Sequence, residues 1–233
     1  PWICRPTGLG PIWPVAAVKS DEAMPFPLPE AEGRLSLLAE ETIRRRAAGC
    51  DAVLLGCGMG RGRQTDALVR RLMDLPQPLV LDADGINALA GHMDEWERRR
   101  GRVTVLTPHE GEFLRVGGDL SQGRTAAATE FAHQSGAVVV LKGPGTVVAG
   151  PDGRCRVNTT GNCGMAKGGS GDVLSGVVLA LLGLGMDALD ACCCAVWLHG
   201  RAGDLAAQEK GQWGMTPTDL LERLPQALRE VTE

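Results

Sequence analysis

Four short apolar runs, each followed by a polar or glycine-rich turn, constrain the fold of this chain more than any other feature. The runs cover residues 52–55, 78–81, 103–106 and 137–141. Short apolar runs that end at turn signals are typical of buried strands. Strands that alternate with helices form a mainly parallel sheet covered by helices on both faces. The sequence therefore predicts an α/β fold, with residues 1–233 forming a single domain.

The same reasoning places the remaining elements. Residues 146–149 and 154–157 flank Pro151-Asp152-Gly153, a turn signal, and are predicted to form a hairpin. Residues 1–33 are rich in proline and glycine and show no clear period, apart from a short element within 12–18. Helical spacing predicts helices over residues 35–48, 64–73, 84–89, 125–135, 171–182, 188–207 and 217–229.

Charge balance and cysteine pattern narrow the class of protein. Lys and Arg total 24 against 28 Asp and Glu, which argues against a dedicated nucleic-acid binder. The 8 cysteines form no C-x-x-C pair, so they indicate neither a zinc site nor a disulfide framework and suit a reducing cytosol. The most apolar run, 173–186, is too short to span a bilayer. We expect a cytoplasmic protein that binds neither nucleic acid nor membrane.

The strongest local motif is GNCGMAKGGSGD at residues 161–172, directly before an apolar helix. Free N–H groups at a helix N-terminus, with no Cβ to block approach, form an anion site. Asp172 falls in the first turn of that helix, where the helix dipole favours its charged form and suits it to act as a base. The alternative is an ordinary N-terminal helix acid beside a flexible loop. The motif is not a Walker A loop, because the chain contains no Gly-Lys-Ser or Gly-Lys-Thr.

Three other turns follow predicted strands, at residues 56–62, 107–112 and 142–146. Their carboxyl-end position predicts that they converge with the glycine-rich motif at one edge of the sheet. Each also has a simpler explanation: a tight turn without ligand, a helix cap made by His109, and a solvated Lys142. A Rossmann site with Asp82 as the ribose acid is not supported, because the G-x-G-x-x-G spacing is absent.

Taken in order, these segments resemble the NAD(P)H-hydrate dehydratases of the ribokinase-like superfamily. The segments are 56–62, Leu81-Asp82-Ala83-Asp84, Thr107-Pro108-His109, Leu141-Lys142-Gly143 and 162–172, and the run MAKGGSGDVLSG at 165–176 is the most specific. The resemblance covers roughly residues 12 to 230. It implies a ribokinase-like three-layer sandwich.

The resemblance also implies repair of hydrated NADH and NADPH, with ADP or ATP as co-substrate and with Mg2+, and ADP is the first choice. By position, Asp172 resembles the catalytic base, and Glu112 resembles an acid that holds magnesium through water. The other positions carried over are Gly169, Ser170 and Gly171 for the anion hole, Lys142, Gly143, Pro144, Gly145, Thr146 and Gly171 for the nucleotide, and Gly60, His109 and Asp172 for the hydrate.

The chain departs from the family pattern in two respects. Cys57 and Cys163 stand where the family usually has proline. The strand–helix–strand segment that opens family domains has no counterpart before residue 12, so we expect an exposed sheet edge, an incomplete substrate pocket and a homo-oligomer. Two alternatives remain open: a kinase of a vitamin precursor alcohol, of the hydroxyethylthiazole or hydroxymethylpyrimidine type, and an inactive truncated fragment.

Overall fold

A computed structural model describes residues 7–9 and 12–232 of the 233-residue chain. Its centre is a six-stranded sheet with strand order β10-β9-β8-β7-β6-β5, in which β5 to β8 run parallel and β9 and β10 are antiparallel. Two small sheets, β1 with β2 and β3 with β4, precede it in the chain. The strands are β1 Thr7–Leu9, β2 Phe26–Leu28, β3 Glu30–Ala31, β4 Arg34–Leu35, β5 Val53–Leu55, β6 Leu79–Leu81, β7 Thr104–Leu106, β8 Val138–Leu141, β9 Val147–Ala149 and β10 Cys155–Val157.

Helices cover both faces of the central sheet. The α-helices are α1 Trp13–Lys19, α2 Glu40–Ala47, α3 Arg63–Leu72, α4 Asp84–Asn87, α5 Glu110–Arg115, α6 Arg124–Ser135, α7 Ser170–Gly183, α8 Ala188–Gly214 and α9 Pro217–Thr232. In the part of the chain that the structure describes, 3-10 helices lie at Leu37–Ala39, Met93–Arg99 and Cys163–Met165. Within the described residues, none of the helices has the length and hydropathy needed to cross a membrane.

Alternation along each strand divides the apolar residues between two cores. Leu79 and Leu81 of β6 pack with the helices from α2 to α6 on one face, whereas Val80 packs with α7 and α8 on the other. Val105 and Val140 follow Val80 to the α7–α8 face. Successive side chains of a strand point to opposite faces, so a strand covered on both sides must be apolar throughout. The three-layer α/β fold predicted from the sequence is confirmed.

The four parallel strands and the hairpin lie where they were predicted, whereas the helix predicted over 35–48 is wrong at its start. Leu35 belongs to β4 and pairs with Glu30. Ser36 then caps a 3-10 turn, accepting a hydrogen bond from the Leu38 N–H, and α2 begins only at Glu40. Apolar spacing alone did not reveal this, because serine competes for local backbone groups and favours caps over helix interiors.

The first part of the chain forms small elements rather than strands of the central sheet. The short element predicted within 12–18 is helix α1. Residues 1–6, 10 and 11, part of the region predicted to lack a pattern, lie outside the described residues. Within the described ranges, β5 pairs only with β6 and forms one end of the central sheet. Whether an opening strand–helix–strand segment belongs beside β5 stays a prediction.

A buried arginine fastens the turn that leads into β6. The Arg99 side chain is 2% exposed and has no carboxylate partner among the described residues. Its guanidinium donates instead to the carbonyl groups of Leu75, Gln77 and Val103 and to the hydroxyl of Thr104. Burial lowers the pKa of Arg99 to about 10, so the group remains charged at neutral pH.

We expect Arg99→Met to lower the free energy of unfolding by about 3 kcal/mol or more, because a stranded buried acceptor costs about 1–3 kcal/mol and several would be stranded here. Urea denaturation measures this loss. The matched control is Arg45→Met on α2, whose side chain is 69% exposed and which should change stability by less than about 0.5 kcal/mol. Equal effects of the two substitutions would contradict the role given to Arg99.

Candidate active site

The turns after β5 and β6 touch backbone to backbone at the carboxyl edge of the sheet. A Cβ atom on Gly56 would lie 1.7 Å from the carbonyl oxygen of Asp82, and one on Gly85 would lie 2.3 Å from the carbonyl oxygen of Leu55. Only glycine fits at these two positions, because the opposing atoms are backbone and cannot move aside. The contact brings Cys57 and Asp82 together.

Asp82, directly after β6, is the best-buried carboxylate of this region, with 1% exposure. Oδ1 accepts hydrogen bonds from Lys142 Nζ and from the Ala83 N–H, both at 2.8 Å. Oδ2 accepts one from Ser175 Oγ at 2.6 Å, and Cys57 Sγ lies 3.8 Å away. A buried charge is tolerated only when it is paired and hydrogen-bonded, and Asp82 meets both conditions.

Lys142, directly after β8, places its ammonium group at the centre of the site. Besides the contact with Asp82, Nζ lies 3.8 Å from Glu112 Oε2. The Lys142 backbone N–H donates to Pro108 O at 2.8 Å, which joins the turns after β7 and β8. A Cβ atom on Gly171 would lie 3.3 Å from Nζ, so the ammonium reaches the N-terminus of α7. The solvated lysine considered from the sequence is therefore wrong: only 19% of this side chain is exposed.

The glycine-rich motif presents free backbone donors at the start of α7. Gly169 has a φ of 100° and precedes the first helical residue, Ser170. Among the described residues, the N–H groups of Gly169, Gly171 and Asp172 meet no acceptor. Unpaired N–H groups and the positive end of the helix dipole together attract anions.

Asp172 lies in the first turn of α7, beside these free N–H groups. Its side chain is exposed, and its carboxylate, the Asp82 carboxylate and Cys57 Sγ each offer an atom within 4.8 Å of the others. Burial raises the pKa of the Cys57 thiol, and the charges of Asp82 and Asp172 raise it further. The Cys57 thiol is therefore protonated and lies between two carboxylates.

The turn after β8 forms a second set of donors. The N–H groups of Gly143, Gly145 and Thr146 meet no acceptor within residues 7–9 and 12–232. Thr146 Oγ1 closes the turn by donating to the carbonyl of Gly143 at 3.0 Å. Lys142 begins this turn and its Nζ reaches the start of α7, so the residue connects the two donor sets.

His109 and Glu112 form a capping box at the start of α5. His109 Nδ1 accepts from the N–H groups of Gly111 and Glu112, at 3.0 and 3.3 Å. Glu112 Oε2 accepts in return from the His109 N–H at 2.9 Å. The helix cap considered from the sequence is thus present, and Nε2 lies 3.5 Å from Glu112 Oε1, although 56% of the His109 side chain is exposed.

Gly60, the other residue predicted to contact a substrate, lies in the turn after β5 with a φ of 74°. Its N–H donates to Asp84 Oδ2 at 2.9 Å, so this donor is already in use. No atom lies within 4 Å of the position of a Cβ on Gly60, which leaves open space above the turn.

Sequence reasoning missed three side chains that shape the site. Ser175 links Asp82 to Thr107, with 3.2 Å between the two hydroxyl oxygens. Arg124 binds the carbonyl groups of the turn after β8. His199 of α8 places Nε2 2.9 Å from the carbonyl oxygen of Ser170. A buried serine on the predicted helix α7 could have signalled the first, but nothing local marks the other two.

Comparisons with known proteins identify the family of this chain. Residues 8–226 match the model of the family described as NAD(P)H-hydrate dehydratase. The chain belongs to this family. The resemblance identified from the sequence is therefore confirmed, and so is the ribokinase-like fold.

Relatives of the NAD(P)H-hydrate dehydratase family differ in length. A bifunctional NAD(P)H-hydrate repair enzyme from Thermofilum pendens is 42% identical over 95% of this chain and 43% of its own length. An ADP-dependent (S)-NAD(P)H-hydrate dehydratase from Neisseria meningitidis is 35% identical over 88% of this chain and 70% of its own length. The chain spans about two-fifths of the length of the bifunctional relatives it matches.

A solved structure of a family member agrees in fold. It is the ADP/ATP-dependent NAD(P)H-hydrate dehydratase from Bacillus subtilis, co-crystallised with ATP/Mg2+ and soaked with CoA. The TM-score is 0.77 at 27% identity, covering 98% of this chain and 91% of that chain.

We expect His199 to make the fold acid-sensitive. Burial lowers the pKa of His199 to about 4, and the charge of Lys142 also lowers it. Above the ordinary pKa of about 6.5 the imidazole is neutral in both states. As pH falls from about 6.5 to about 4, the unfolded chain gains a proton that the fold excludes, so stability falls by up to about 3 kcal/mol.

Urea denaturation at pH 7.5 and pH 4.5 measures this effect. His199→Gln should lose about 2–3 kcal/mol less than the native chain between the two pH values. His133→Gln on the exposed face of α6 is the control and should match the native chain. The same pH dependence in all three proteins would show that His199 is not excluded from protonation by the fold.

Proposed function

We propose that this chain catalyses nucleotide-dependent dehydration of hydrated NADH and NADPH, with ADP converted to AMP and phosphate. Family membership and the names of the relatives support this class of reaction. The observation that carries it is Lys142, whose ammonium reaches the unpaired N–H groups at the start of α7 and whose own turn after β8 bears a second set of unpaired N–H groups. Such an arrangement suits a chain of phosphate groups, which carries negative charge along its whole length.

In this proposal the nucleotide binds along the turn of Lys142, Gly143, Pro144, Gly145 and Thr146. Its terminal phosphoryl group lies at Gly169, Ser170 and Gly171, where the free N–H groups of Gly169 and Gly171 at the helix N-terminus stabilise charge on the phosphate oxygens. The Ser170 N–H already donates to the carbonyl of Lys167 at 3.2 Å. Lys142 adds one positive charge between the groups. Phosphoryl transfer depends mostly on such positioning and charge stabilisation.

Asp172 is proposed as the base. Its carboxylate accepts the proton from the 6-hydroxyl of the hydrated ring as that oxygen attacks the terminal phosphorus. The bond from this phosphorus to the bridging oxygen breaks, and AMP leaves with the bonding pair. The phosphate on C6 then departs with its own bonding pair, and loss of a proton from C5 restores the ring double bond. The sum is hydrate plus ADP giving cofactor, AMP and phosphate.

The substrate would lie above the turn of Gly60, where the structure has open space, with His109 Nε2 as a hydrogen-bonding contact. Its hydrated ring must reach Asp172.

The Glu112 carboxylate also suits a magnesium ion. Glu112 is 6% exposed on its side chain; Oε2 accepts from the His109 N–H, and Oε1 lies 3.5 Å from His109 Nε2. Mg2+ keeps most of its water and binds protein through few carboxylates, so Glu112 would hold it through water. When bound, the ion neutralises charge on the phosphate oxygens.

The test is an assay of purified chain with NADPH hydrate, ADP and Mg2+. Return of NADPH absorbance together with free phosphate and AMP would support the proposal. A stable phosphorylated alcohol, formed from a hydroxyethylthiazole or hydroxymethylpyrimidine substrate, would replace it with a kinase. No turnover of any substrate would favour an inactive fragment.

We expect Asp172→Asn to lower kcat by about 10²–10⁴, because a positioned base contributes about that much. ADP affinity, measured by calorimetry, should change little. Asp190→Asn is the matched control, since Asp190 also lies in the first turn of a helix, α8, but outside the site. Near-native kcat in the Asp172 variant would remove it as the base.

A cytoplasmic location and a homo-oligomeric assembly are proposed alongside, the first from the cysteine pattern and the second from the one-sided pairing of β5. Absence of nucleic acid and membrane partners is proposed from the charge balance. Sedimentation of the purified chain would test the assembly.

A further inference from the structure

Arg124, the first residue of α6, binds the carbonyl groups of the turn after β8. Nη1 donates to Pro144 O at 2.5 Å and lies 3.2 Å from Gly145 O, and Nη2 donates to Leu141 O at 2.9 Å. One guanidinium therefore holds three carbonyl groups of a single turn. Its fixed fork of donors suits this use better than a lysine would.

This contact determines which way the turn faces. Arg124 occupies the carbonyl groups of the turn. The N–H groups of Gly143, Gly145 and Thr146 point away from Arg124, and they meet no acceptor in the described part of the chain. The approach is close: a Cβ on Gly143, whose φ is 150°, would lie 2.7 Å from Arg124 Nη2. The turn is thus held in a donor-presenting conformation without a ligand.

Arg124 also connects this turn to the start of α5. Its Nε lies 3.2 Å from Oε1 of Glu110, which directly follows His109. The Arg124 side chain is 24% exposed and that of Glu110 is 54% exposed, so solvent partly screens the pair. Within the described residues Arg124 Nε makes no hydrogen bond, so Glu110 contributes a nearby negative charge rather than a fixed orientation.

We infer that Arg124 is a positioning residue for the nucleotide: it fixes the turn of residues 142–146 with its N–H groups presented to phosphate, and Glu110 adds a negative charge beside it. The inference rests on the proposed function. A turn that is already ordered loses less conformational freedom when a ligand binds, so the effect falls on affinity for the nucleotide. Arg124 touches no reacting atom, so the chemical step should be nearly independent of it.

The experiment compares Arg124→Gln and Arg124→Lys in the full chain. Calorimetry with ADP and steady-state kinetics with NADPH hydrate give the Kd, KM and kcat. We expect Arg124→Gln to raise the Kd and KM for ADP about tenfold or more, with kcat within about threefold and the KM for the hydrate unchanged. Arg124→Lys should recover part of the affinity, and Glu110→Gln should cost less than Arg124→Gln.

Arg98→Gln is the matched control. Arg98 also donates to backbone carbonyl groups, those of Arg70 and Arg71, but far from the site. It should leave all three constants unchanged, and melting should show that the Arg124 variants remain folded. Native ADP affinity in Arg124→Gln, or an equal fall in kcat and affinity, would overturn the inference while the proposed function stands. No ADP binding by the native chain would overturn both.

Discussion

The buried pair of Asp82 and Lys142 is the interaction on which the site depends. It joins the ends of β6 and β8, two strands that are not neighbours in the sheet, because β7 lies between them. Removing two charges from water costs several kcal/mol per ion unless hydrogen bonds complete the pair. Ser175, Ala83 and Cys57 supply those contacts to Asp82. Because α7 brings Ser175, the helix N-terminus and the pair are fixed relative to each other. The pair therefore determines geometry more than it adds stability.

Helix α8 packs directly against the glycine-rich motif. A Cβ on Gly200 would lie 2.2 Å from Thr160 Oγ1, and one on Gly203 would lie 2.3 Å from Met165 Sδ, so the motif rests directly on the helix. Asp204 then accepts from the Gly161 N–H and the Asn162 amide, at 2.9 and 3.0 Å. A segment rich in glycine is costly to order. Here packing against α8 and two charge-assisted hydrogen bonds offset that cost, which explains how a loop with five glycines holds a fixed conformation.

The sequence predicted the fold and the convergence of the turns because both follow from local patterns. A few neighbouring residues are enough to recognise each of these patterns: the apolar runs of strand length, the hairpin signal at 151–153 and the glycines before α7. The contacts inside the site are different: Asp82 meets partners 60 and 93 positions away, at Lys142 and Ser175. Arg124 looks like a solvated helix residue until the turn after β8 is seen beside it. The wrong start of the helix over 35–48 shows the same limit, since the pairing of Leu35 with Glu30 outweighed helical spacing.

The close backbone contacts at Gly56 and Gly85 restrict which substitutions this chain can accept during evolution. A side chain at either position would strike main-chain atoms, at 1.7 and 2.3 Å, rather than another side chain. A second substitution elsewhere cannot relieve such a clash, because no substitution removes a main-chain carbonyl group. Other positions of the site can drift in pairs, as a charge and its partner do. Gly56 and Gly85 must remain glycine, and they hold the turns after β5 and β6 in place even when neighbouring side chains change.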